Sequence, residues 1–447
     1  MGQSLHKDYY VDHLAAVNRN NRVLATKDIK NEQGAVLVAK GTAITAEIAR
    51  KIAHHKLLQP LETSVALESA LTPQQVIAHQ QTLPKNPDLW RLQEQHTVLN
   101  DAFCQHCECL AKYPPISQKL TVFADRLPIF FEKTLTCAYI ALLLAGELKL
   151  SEEVSNHIFL AAMTRDLGLL HIDPDIARSK QPLPPQQWRL LQGHVAVSHH
   201  FLAIVPTLPK AVSRAVLEHH ERCDGLGYPY GKLGDELCLE GQVVALADMI
   251  VALITKQVDI LGYSMRAIIP VLQLNLSVHF NRVTEAAICA LRALVTDCDR
   301  VYDNCEIPAV IETIIARQQP LASWFEQICA LIRDASAHVD SKHIRITNAY
   351  LARIQATLIS SGMITREQRC WLEDVLNNSR VEEYFDVECT ELMLNEVCWQ
   401  FRQLNNTLAL AIQQLQPTGS NHAYLHKQSI NLDRQLNLLL SAARDTA

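Results

Sequence analysis

The sequence predicts a mainly α-helical protein with a small β-containing element near its N-terminus and a helical bundle at its C-terminal end. Leu, Ala, Ile, Gln and Glu dominate the 447 residues, and only 14 residues are glycine. Runs of alternating β-branched residues are rare, whereas apolar residues recur at helical spacing. The length suits about two to three domains. We place their bounds at residues 1–112, 113–300 and 301–447.

The N-terminal part is expected to form a small mixed element followed by helices. Val23–Ala25 and residues 35–39 are strand-like, and Thr45 is a suitable N-cap for the next helix. The apolar side of that helix is expected to carry Ile52 and Leu57. Such an element is typical of a docking or dimerisation module. Separately, the apolar stripes of the C-terminal helices favour an interaction or oligomerisation bundle. A homo-oligomer is therefore one open interpretation.

Composition excludes several classes of protein. The formal net charge is −6 and no basic run occurs, so nucleic acid is not an expected partner. The 13 cysteines are scattered and odd in number, which favours free thiols in a reducing compartment. The N-terminal stretch lacks an apolar leader, and the most apolar run, residues 137–146, is too short to span a bilayer. We therefore expect a soluble, cytoplasmic protein without a membrane span.

One stretch of eleven residues, from His219 to Pro229, carries most of the chemistry. It joins two imidazoles and two carboxylates to a Gly-x-Gly-Tyr-Pro turn. Upstream, Val212, Ala215 and Val216 continue to His219 at the spacing of one helix face, so we expect His219 to point inward. A buried imidazole at a helix end, followed by a polar loop, is typical of metal and phosphate sites.

Other polar side chains of the central region also lie on apolar helix faces. Asp166 ends a series of apolar residues at steps of four, His194 shares a face with two leucines, and Asp248 is the lone acid of an apolar helix over 241–253. A buried carboxylate needs a cation, a strong hydrogen bond or a proton. Arg165 is not an automatic partner of Asp166, because adjacent helical positions point about 100° apart.

Several such residues together indicate a metal site. A single polar residue on an apolar face is more often a satisfied core residue than a ligand. Five that converge favour ligation, and imidazole with carboxylate oxygen suits iron, manganese or zinc. The candidate ligands are Asp166, His194, His219, His220 and Asp248.

The eleven-residue stretch resembles the HHExxDGxGYP signature of the HD-GYP family. These are bacterial, all-helical members of the HD phosphohydrolase superfamily that hydrolyse cyclic di-GMP. The matching positions are His219, His220, Glu221, Asp224, Gly225, Gly227, Tyr228 and Pro229. His194, Asp166 and Asp248 fall on further positions of the family pattern. The resemblance covers about residues 130–255 and implies an HD-GYP-type helical bundle core that holds two or three metal ions.

The sequence departs from the family pattern in the segment after Asp248, where residues 256–260 replace a ligand-contacting segment, and at three positions that bear on catalysis. Arg165 stands where the family has the His of its HD motif, and Leu169 stands where it has a Lys. A further metal-binding His should fall near Lys133 or Thr134, where none occurs. Losing two imidazoles should empty at least one metal position, and losing the Lys removes a stabiliser of phosphoryl charge. Phosphodiesterase activity is therefore expected to be weak or absent.

These departures leave three functions open. The first is a catalytically weak or inactive regulatory module that binds a diguanylate cyclase or another signalling protein. The second is an active metal-dependent phosphodiesterase whose rearranged site holds one or two ions, with His199 or His200 replacing a missing imidazole. The third is a receptor that binds cyclic di-GMP without cleaving it. Arg165 could contact a phosphate or neutralise Asp166 and Asp248 in place of metal, and we favour the second role.

Overall fold

The computed structural model describes residues 8–83, 87–179, 181, 183–276, 278, 280–294, 300–338, 341–413 and 420–441. The chain separates into two compact units. The first comprises Met1–Ala252 with Glu285–Ala290, and the second comprises Leu253–Thr284 with Leu291–Ala447. The finer division into three domains stays a prediction.

The first unit is helical apart from short strands near its beginning, so the predicted mainly α class is confirmed. Its helices are α1 (Tyr10–Val17), α2 (Ala46–Ala53), α3 (Pro73–Thr82), α4 (Pro87–Gln95), α5 (Thr97–Glu108), α6 (Pro114–Arg126), α7 (Pro128–Glu147), α8 (Glu152–Thr164), α9 (Pro174–Ala177), α10 (Pro185–Gln192), α11 (His194–Ala203), α12 (Lys210–Glu218) and α13 (Leu239–Leu253). The last of these runs one residue into the second unit.

The predicted β-containing element consists of two small antiparallel pairs. The pairs are β1 (Val23–Ala25) with β4 (Val65–Leu67), and β2 (Ile29–Lys30) with β3 (Val36–Val38). Thr45 caps α2 as predicted, because its hydroxyl accepts from the amide of Ile48 at 3.3 Å. The expectation that Leu57 lies on this helix is wrong. The helix ends at Ala53, and Leu57 forms an antiparallel bridge with Asn31 in extended chain.

Helix α7 lies in the core of the first unit. Pro128 starts it at a position where a missing amide hydrogen costs nothing, and most of its side chains are buried. By length and composition alone, Pro128–Glu147 and Leu239–Val258 could each cross a membrane, but 67% of each apolar window is buried. A buried core helix passes the same test. Helix α8 follows, with Ser151 accepting from the amide of Val154 as its predicted cap.

His13 on α1 should make the stability of this unit fall in mild acid. Burial, followed by the nearby charge of Arg126, lowers the pKa of His13 from 6.5 to about 4. Between these values the unfolded chain binds the proton and the folded chain does not, so stability decreases as the pH falls through this window. The loss should be about 1–2 kcal/mol at pH 5 relative to pH 7.

Thermal unfolding of wild type and His13→Gln at both pH values tests this. The variant should show a smaller loss of stability on acidification, whatever its stability at pH 7. An equal loss in both proteins would exclude His13 as the source.

The second unit is helical throughout the described residues. Its helices are α14 (Ile268–Leu274), α15 (Asn281–Leu294), α16 (Ile307–His338), α17 (Lys342–Ser361), α18 (Arg366–Asn378), α19 (Tyr384–Gln413) and α20 (Ser420–Ser441). Part of α15, Glu285–Ala290, belongs to the first unit. Trp324 on α16 stacks on Phe401 of α19 and donates its indole hydrogen to the carbonyl of Leu432 on α20 at 2.9 Å. One aromatic residue thus joins three helices.

Candidate functional site

Three imidazoles meet where α11 begins and α12 ends. His194 is the first residue of α11, and His219 and His220 follow directly after α12. Each ring can offer one nitrogen so that all three nitrogens lie within 4.8 Å of one another. His194 and His219 are 3% and 1% exposed, so the predicted inward orientation of His219 is confirmed. Among the described residues this is the group whose spacing suits a metal ion.

The hydrogen bonds of two of these rings leave one nitrogen of each free to bind a metal. The Nδ1 atom of His194 lies 2.7 Å from the carbonyl of Leu191, and that of His219 lies 2.6 Å from the carbonyl of Val216. Each contact places the proton on Nδ1 and the lone pair on Nε2. Burial, followed by the proximity of His194, lowers the pKa of His219 to about 4, so the ring is neutral near pH 7. Within the described chain the buried Nε2 of His219 has no hydrogen-bond partner. This donor set fits one divalent ion.

The carboxylates of the predicted site are held by Arg165 instead. Its Nη2 lies 3.0 Å from Oδ2 of Asp166 and 2.9 Å from Oδ1 of Asp248. Its Nε donates to the same Asp248 oxygen at 3.1 Å. Its Nη1 donates to the carbonyl of Ala162 at 2.9 Å and to the hydroxyl of Thr134 at 3.4 Å. All three guanidinium nitrogens therefore have protein acceptors.

The guanidinium at the centre of this ion-pair cluster is almost closed to solvent. Arg165 is 1% exposed. Burial alone would raise the pKa of Asp166, but the adjacent Arg165 guanidinium and the nearby His194 hold that pKa below its usual value. Burial would likewise lower the pKa of Arg165, and the carboxylates of Asp166 and Asp248 raise it. The pair is therefore fully charged at neutral pH.

The favoured role of Arg165, as the cation that neutralises both acids, is confirmed. Arg165 reaches its sequence neighbour Asp166 because α8 ends at Thr164 and the helical separation of adjacent side chains no longer applies at positions 165 and 166. The expected burial of the Asp248 side chain needs correction, since it is 27% exposed. Asp166 lies next to the imidazoles, with its Oδ1 3.5 Å from Nε2 of His194.

The signature loop is organised around the buried carboxylate of Glu221, which is 0% exposed. Its Oε1 accepts from the amides of Tyr230 and Gly231 at 2.6 and 3.2 Å, and its Oε2 accepts from that of Lys232 at 3.0 Å. Gly227 packs so tightly beneath this turn that an added Cβ would lie 2.4 Å from the amide nitrogen of Arg222. Neither residue touches the imidazoles through these contacts, so both shape the loop.

Replacing Glu221 by alanine should loosen this loop. Three backbone amides lose a charged acceptor, and we expect a loss of about 2 kcal/mol in unfolding free energy. Hydrogen exchange of the amides at residues 230–232 should become at least about tenfold faster. Glu236→Ala is the matched control. The carboxylate of exposed Glu236 accepts from the amide of Leu233, whereas the amides of residues 230–232 donate to Glu221. Equal exchange rates in the two variants would contradict this role.

The other signature residues extend from the imidazoles to the surface. Tyr228 stacks on His220 at 4.7 Å between ring centroids, and Trp188 of α10 meets Tyr228 edge-on at 6.4 Å. Asp224 accepts from the guanidinium of Arg222 at 2.7 Å and from the amide of Leu226 at 3.0 Å. The bond from Tyr228 to the next residue, Pro229, is a cis peptide, and Gly225 has a φ of 74°. These residues form a loop beside the imidazoles.

The remaining predicted positions lie apart from the imidazole group. Leu169, which replaces the Lys of the family pattern, is a buried residue of the 3₁₀ turn Leu167–His171. His199 contacts the carbonyl of Ser213 through Nδ1 at 2.9 Å, and His200 is exposed and lines a different cavity. Neither ring belongs to the three-imidazole group. The suggestion that one of them replaces a missing imidazole is therefore not supported by their positions.

Sequence reasoning missed two side chains that support the site. The hydroxyl of Ser198 donates to the carbonyl of Arg165 at 2.8 Å and accepts from the amide of Gly168 at 2.7 Å. An added Cβ on Gly168 would lie 2.1 Å from the carbonyl oxygen of His194, so only glycine permits this approach. Ser198 follows His194 by one helical turn, a spacing that could have indicated a shared face. Buried Glu218 binds Lys232 and the amide of Cys238, and thereby anchors the loop.

Residues 120–282 match the HD domain family. A cyclic di-GMP phosphodiesterase response regulator of Xanthomonas campestris is 31% identical over 121 residues, 27% of this chain and 32% of that protein. A 3'3'-cGAMP-specific phosphodiesterase of Vibrio cholerae is 32% identical over 111 residues, 25% of this chain and 24% of that protein. A cyclic di-GMP phosphodiesterase of Thermotoga maritima is 31% identical over 116 residues, 26% of this chain and 31% of that protein.

The chain thus spans about a quarter to a third of the length of these curated relatives (24–32%). Among solved structures, an HDG"Y"P protein from Bdellovibrio bacteriovorus aligns over 61% of this chain at 14% identity and a TM-score of 0.34, too low to bear on the site. The matched region identifies an HD domain over residues 120–282. Within it, the stretch at 219–229 is similar to the signature of the HD-GYP family.

Proposed function

We propose that this chain is a degenerate HD-GYP protein of bacterial cyclic di-GMP signalling that is catalytically weak or inactive and acts as a regulatory, protein-binding module. The observation that carries the proposal is the contact of the Arg165 guanidinium with both Asp166 and Asp248. A fixed cation here neutralises the two carboxylates that would otherwise attract metal ions. A divalent ion placed beside it would meet a positive charge and no unpaired carboxylate.

The same contacts argue against a phosphate-binding role for Arg165. Its nitrogens are already bonded to Asp248, Asp166, Thr134 and Ala162, so a ligand would have to displace buried partners. If cyclic di-GMP binds to this protein, other groups around the loop would therefore contact its phosphates. Buried ion pairs of this kind resist disruption, because removing one partner leaves an uncompensated charge.

The proposed binding surface is the signature loop. Tyr230 and Leu233 are 64% and 54% exposed, and Trp188 nearby on α10 is 47% exposed. Glu221 binds backbone amides of this loop and Glu218 binds the Lys232 side chain and the amide of Cys238, so the apolar side chains are presented on an ordered support. Ordered, exposed aromatic and aliphatic side chains are typical anchors of protein interfaces. A diguanylate cyclase or another signalling protein is the partner that we propose.

Hydrolysis assays on the full chain test the first half of the proposal. Protein purified anaerobically and supplied with Fe²⁺ or Mn²⁺ should not hydrolyse cyclic di-GMP above the rate of the metal alone. Turnover that His219→Gln abolishes would overturn the proposal, because it would require a working metal site at the imidazoles.

Binding assays test the second half. Capture of a diguanylate cyclase domain should weaken at least about tenfold in a Tyr230→Ser/Leu233→Ser variant. Trp90→Ser is the matched control, since Trp90 is 49% exposed on α4 of the same unit. Equal weakening in the control, or no binding by wild type, would contradict a loop-based interface.

A second function has its own supporting observation. The three imidazoles, of which His194 and His219 keep the lone pair on Nε2, could hold one divalent iron, manganese or zinc ion, which would polarise a phosphoryl oxygen. This chain would then be an active phosphodiesterase with a rearranged site. Metal analysis separates the two: no transition metal in anaerobically purified protein excludes this function, and one ion per chain with turnover supports it.

A further inference from the structure

A second cavity, of about 940 Å³, lies in the first unit apart from the three imidazoles. Its walls come from α1, from the extended chain after α2, and from the last turn of α11, where His200 and Phe201 line it. His194, at the first residue of α11, belongs to the imidazole group and does not line this cavity. The volume lies in the range of small-molecule sites, about 300–1,000 Å³.

The inner end of the cavity is a charged network in which Lys119, Glu62 and His171 are largely buried and Asp8 is exposed. The ammonium of Lys119, which is 1% exposed, lies 2.6 Å from Oε1 of Glu62 and 2.9 Å from Nε2 of His171. The Nδ1 atom of His171 lies 2.9 Å from Oδ1 of Asp8. Lys119 also sits 4.2 Å from the ring centroid of Phe201. Glu62 and Asp8 therefore have cationic or imidazole partners already, and the inner end is rigid and charge-balanced.

The outer rim offers nitrogen donors that no protein acid occupies. Arg50, His54, His55 and His200 line the cavity and are exposed, and in the described structure the guanidinium of Arg50 contacts only the backbone carbonyl of Ala46. Asp8 and Glu62 are paired, and Asp12, the third acid of the lining, also has an interaction within the protein, so the groups left to meet a ligand are mainly donors. Such a rim is complementary to an anion with several oxygens.

Apolar side chains complete the wall between rim and inner end. Leu58 and Ile204 both line the cavity and are 54% and 42% exposed. A free inorganic anion would leave these surfaces in water, whereas an organic body would cover them. The combination of an apolar wall with a donor-rich rim suits an organic phosphate better than phosphate alone.

We propose that this cavity binds a small organic phosphate of the nucleotide class, with its phosphoryl group among Arg50, His54, His55 and His200 and its organic body against Leu58 and Ile204. The site is independent of the imidazole group and of the function proposed above. Helix α11 contributes to both sites, with His194 at its start and His200 in its last turn.

Isothermal titration calorimetry of the full chain with GMP, guanosine and inorganic phosphate tests the proposal. GMP should bind saturably, and guanosine and phosphate should each bind at least about tenfold more weakly. Arg50→Gln and His200→Gln should each weaken GMP binding about tenfold, since each removes one contact to the phosphoryl group. Both side chains are exposed, so folding should be unaffected. Arg22→Gln, an exposed arginine of the same unit outside the cavity, is the control and should bind GMP as wild type does.

Three results would overturn the proposal. The first is the lack of saturable GMP binding. The second is equal affinity for GMP and inorganic phosphate, which would indicate a simple anion site without an organic subsite. The third is binding that His219→Gln abolishes but Arg50→Gln does not, which would place the nucleotide at the imidazole group instead.

Discussion

Replacement of Arg165 by leucine should lower the free energy of unfolding by about 3–5 kcal/mol. The variant leaves the carboxylates of Asp166 and Asp248 side by side without their shared cation, which lies 3.0 and 2.9 Å from them in the wild type. Leucine approximates the volume of the alkyl stem and cannot donate to the carbonyl of Ala162. Urea denaturation followed by far-UV circular dichroism measures the change.

An exposed ion pair of the same unit provides the control. Lys56 pairs with Glu32 and its side chain is 69% exposed, so Lys56→Ala should cost less than about 1 kcal/mol. The pH dependence gives a second test. In the Arg165→Leu variant Asp166 loses the guanidinium that holds its pKa below the usual value, so acidification toward pH 5 should narrow the difference in unfolding free energy from wild type. A loss as small as that of Lys56→Ala would show that the buried guanidinium is not needed to balance the acids.

A Thr134→His/Arg165→His double variant should bind about one more divalent ion per chain than the wild type. The hydroxyl of Thr134 contacts Arg165, and Thr134 is 0% exposed, so an imidazole there would point at the position the guanidinium now fills. Removing the guanidinium frees the carboxylates of Asp166 and Asp248 as oxygen ligands. Mass spectrometry of metal content after loading with Mn²⁺ or Fe²⁺ measures the gain.

Single variants are the controls for this gain. Thr134→His alone keeps Arg165 between the acids and should bind no more metal than wild type, because the fixed cation remains. Arg165→His alone should give an intermediate result. If wild type already holds two ions, or if Thr134→His alone gains one, Arg165 does not block a metal position and the proposed inactivity loses its main support.

Local patterns in the sequence were enough to place the helices and several of their ends. The spacing of apolar residues before His219 predicted its inward orientation, and Thr45 and Ser151 cap their helices as expected. Both follow from short-range geometry: a helix face repeats every three to four residues, and a cap needs only a hydroxyl three residues before an unpaired amide. The family signature also sufficed to recognise the HD domain.

Interactions between distant parts of the chain could not be predicted in the same way. The sequence favoured an ion pair of Arg165 with Asp166 and Asp248 but did not give its geometry, because α8 ends at Thr164, two residues before Asp166, and Asp248 lies on a distant helix. The apolar pattern also predicted that Leu57 lies on α2. The helix ends at Ala53, however, and Leu57 pairs with Asn31 in extended chain. The residue at which a helix ends depends on tertiary contacts, and these contacts can override the local pattern of apolar residues.

By itself, then, the sequence determined the helical class, the HD-GYP signature and the identity of the residues that depart from the family pattern. It favoured an ion pair of Arg165 with Asp166 and Asp248 but left a contact with phosphate open. Only the tertiary structure decided that the guanidinium lies between Asp166 and Asp248, and that His200 lines a separate cavity with Glu62 and His171. The physical reason is that charge balance is a property of three-dimensional distance, and residues 83 positions apart in the chain, such as Arg165 and Asp248, meet only after folding.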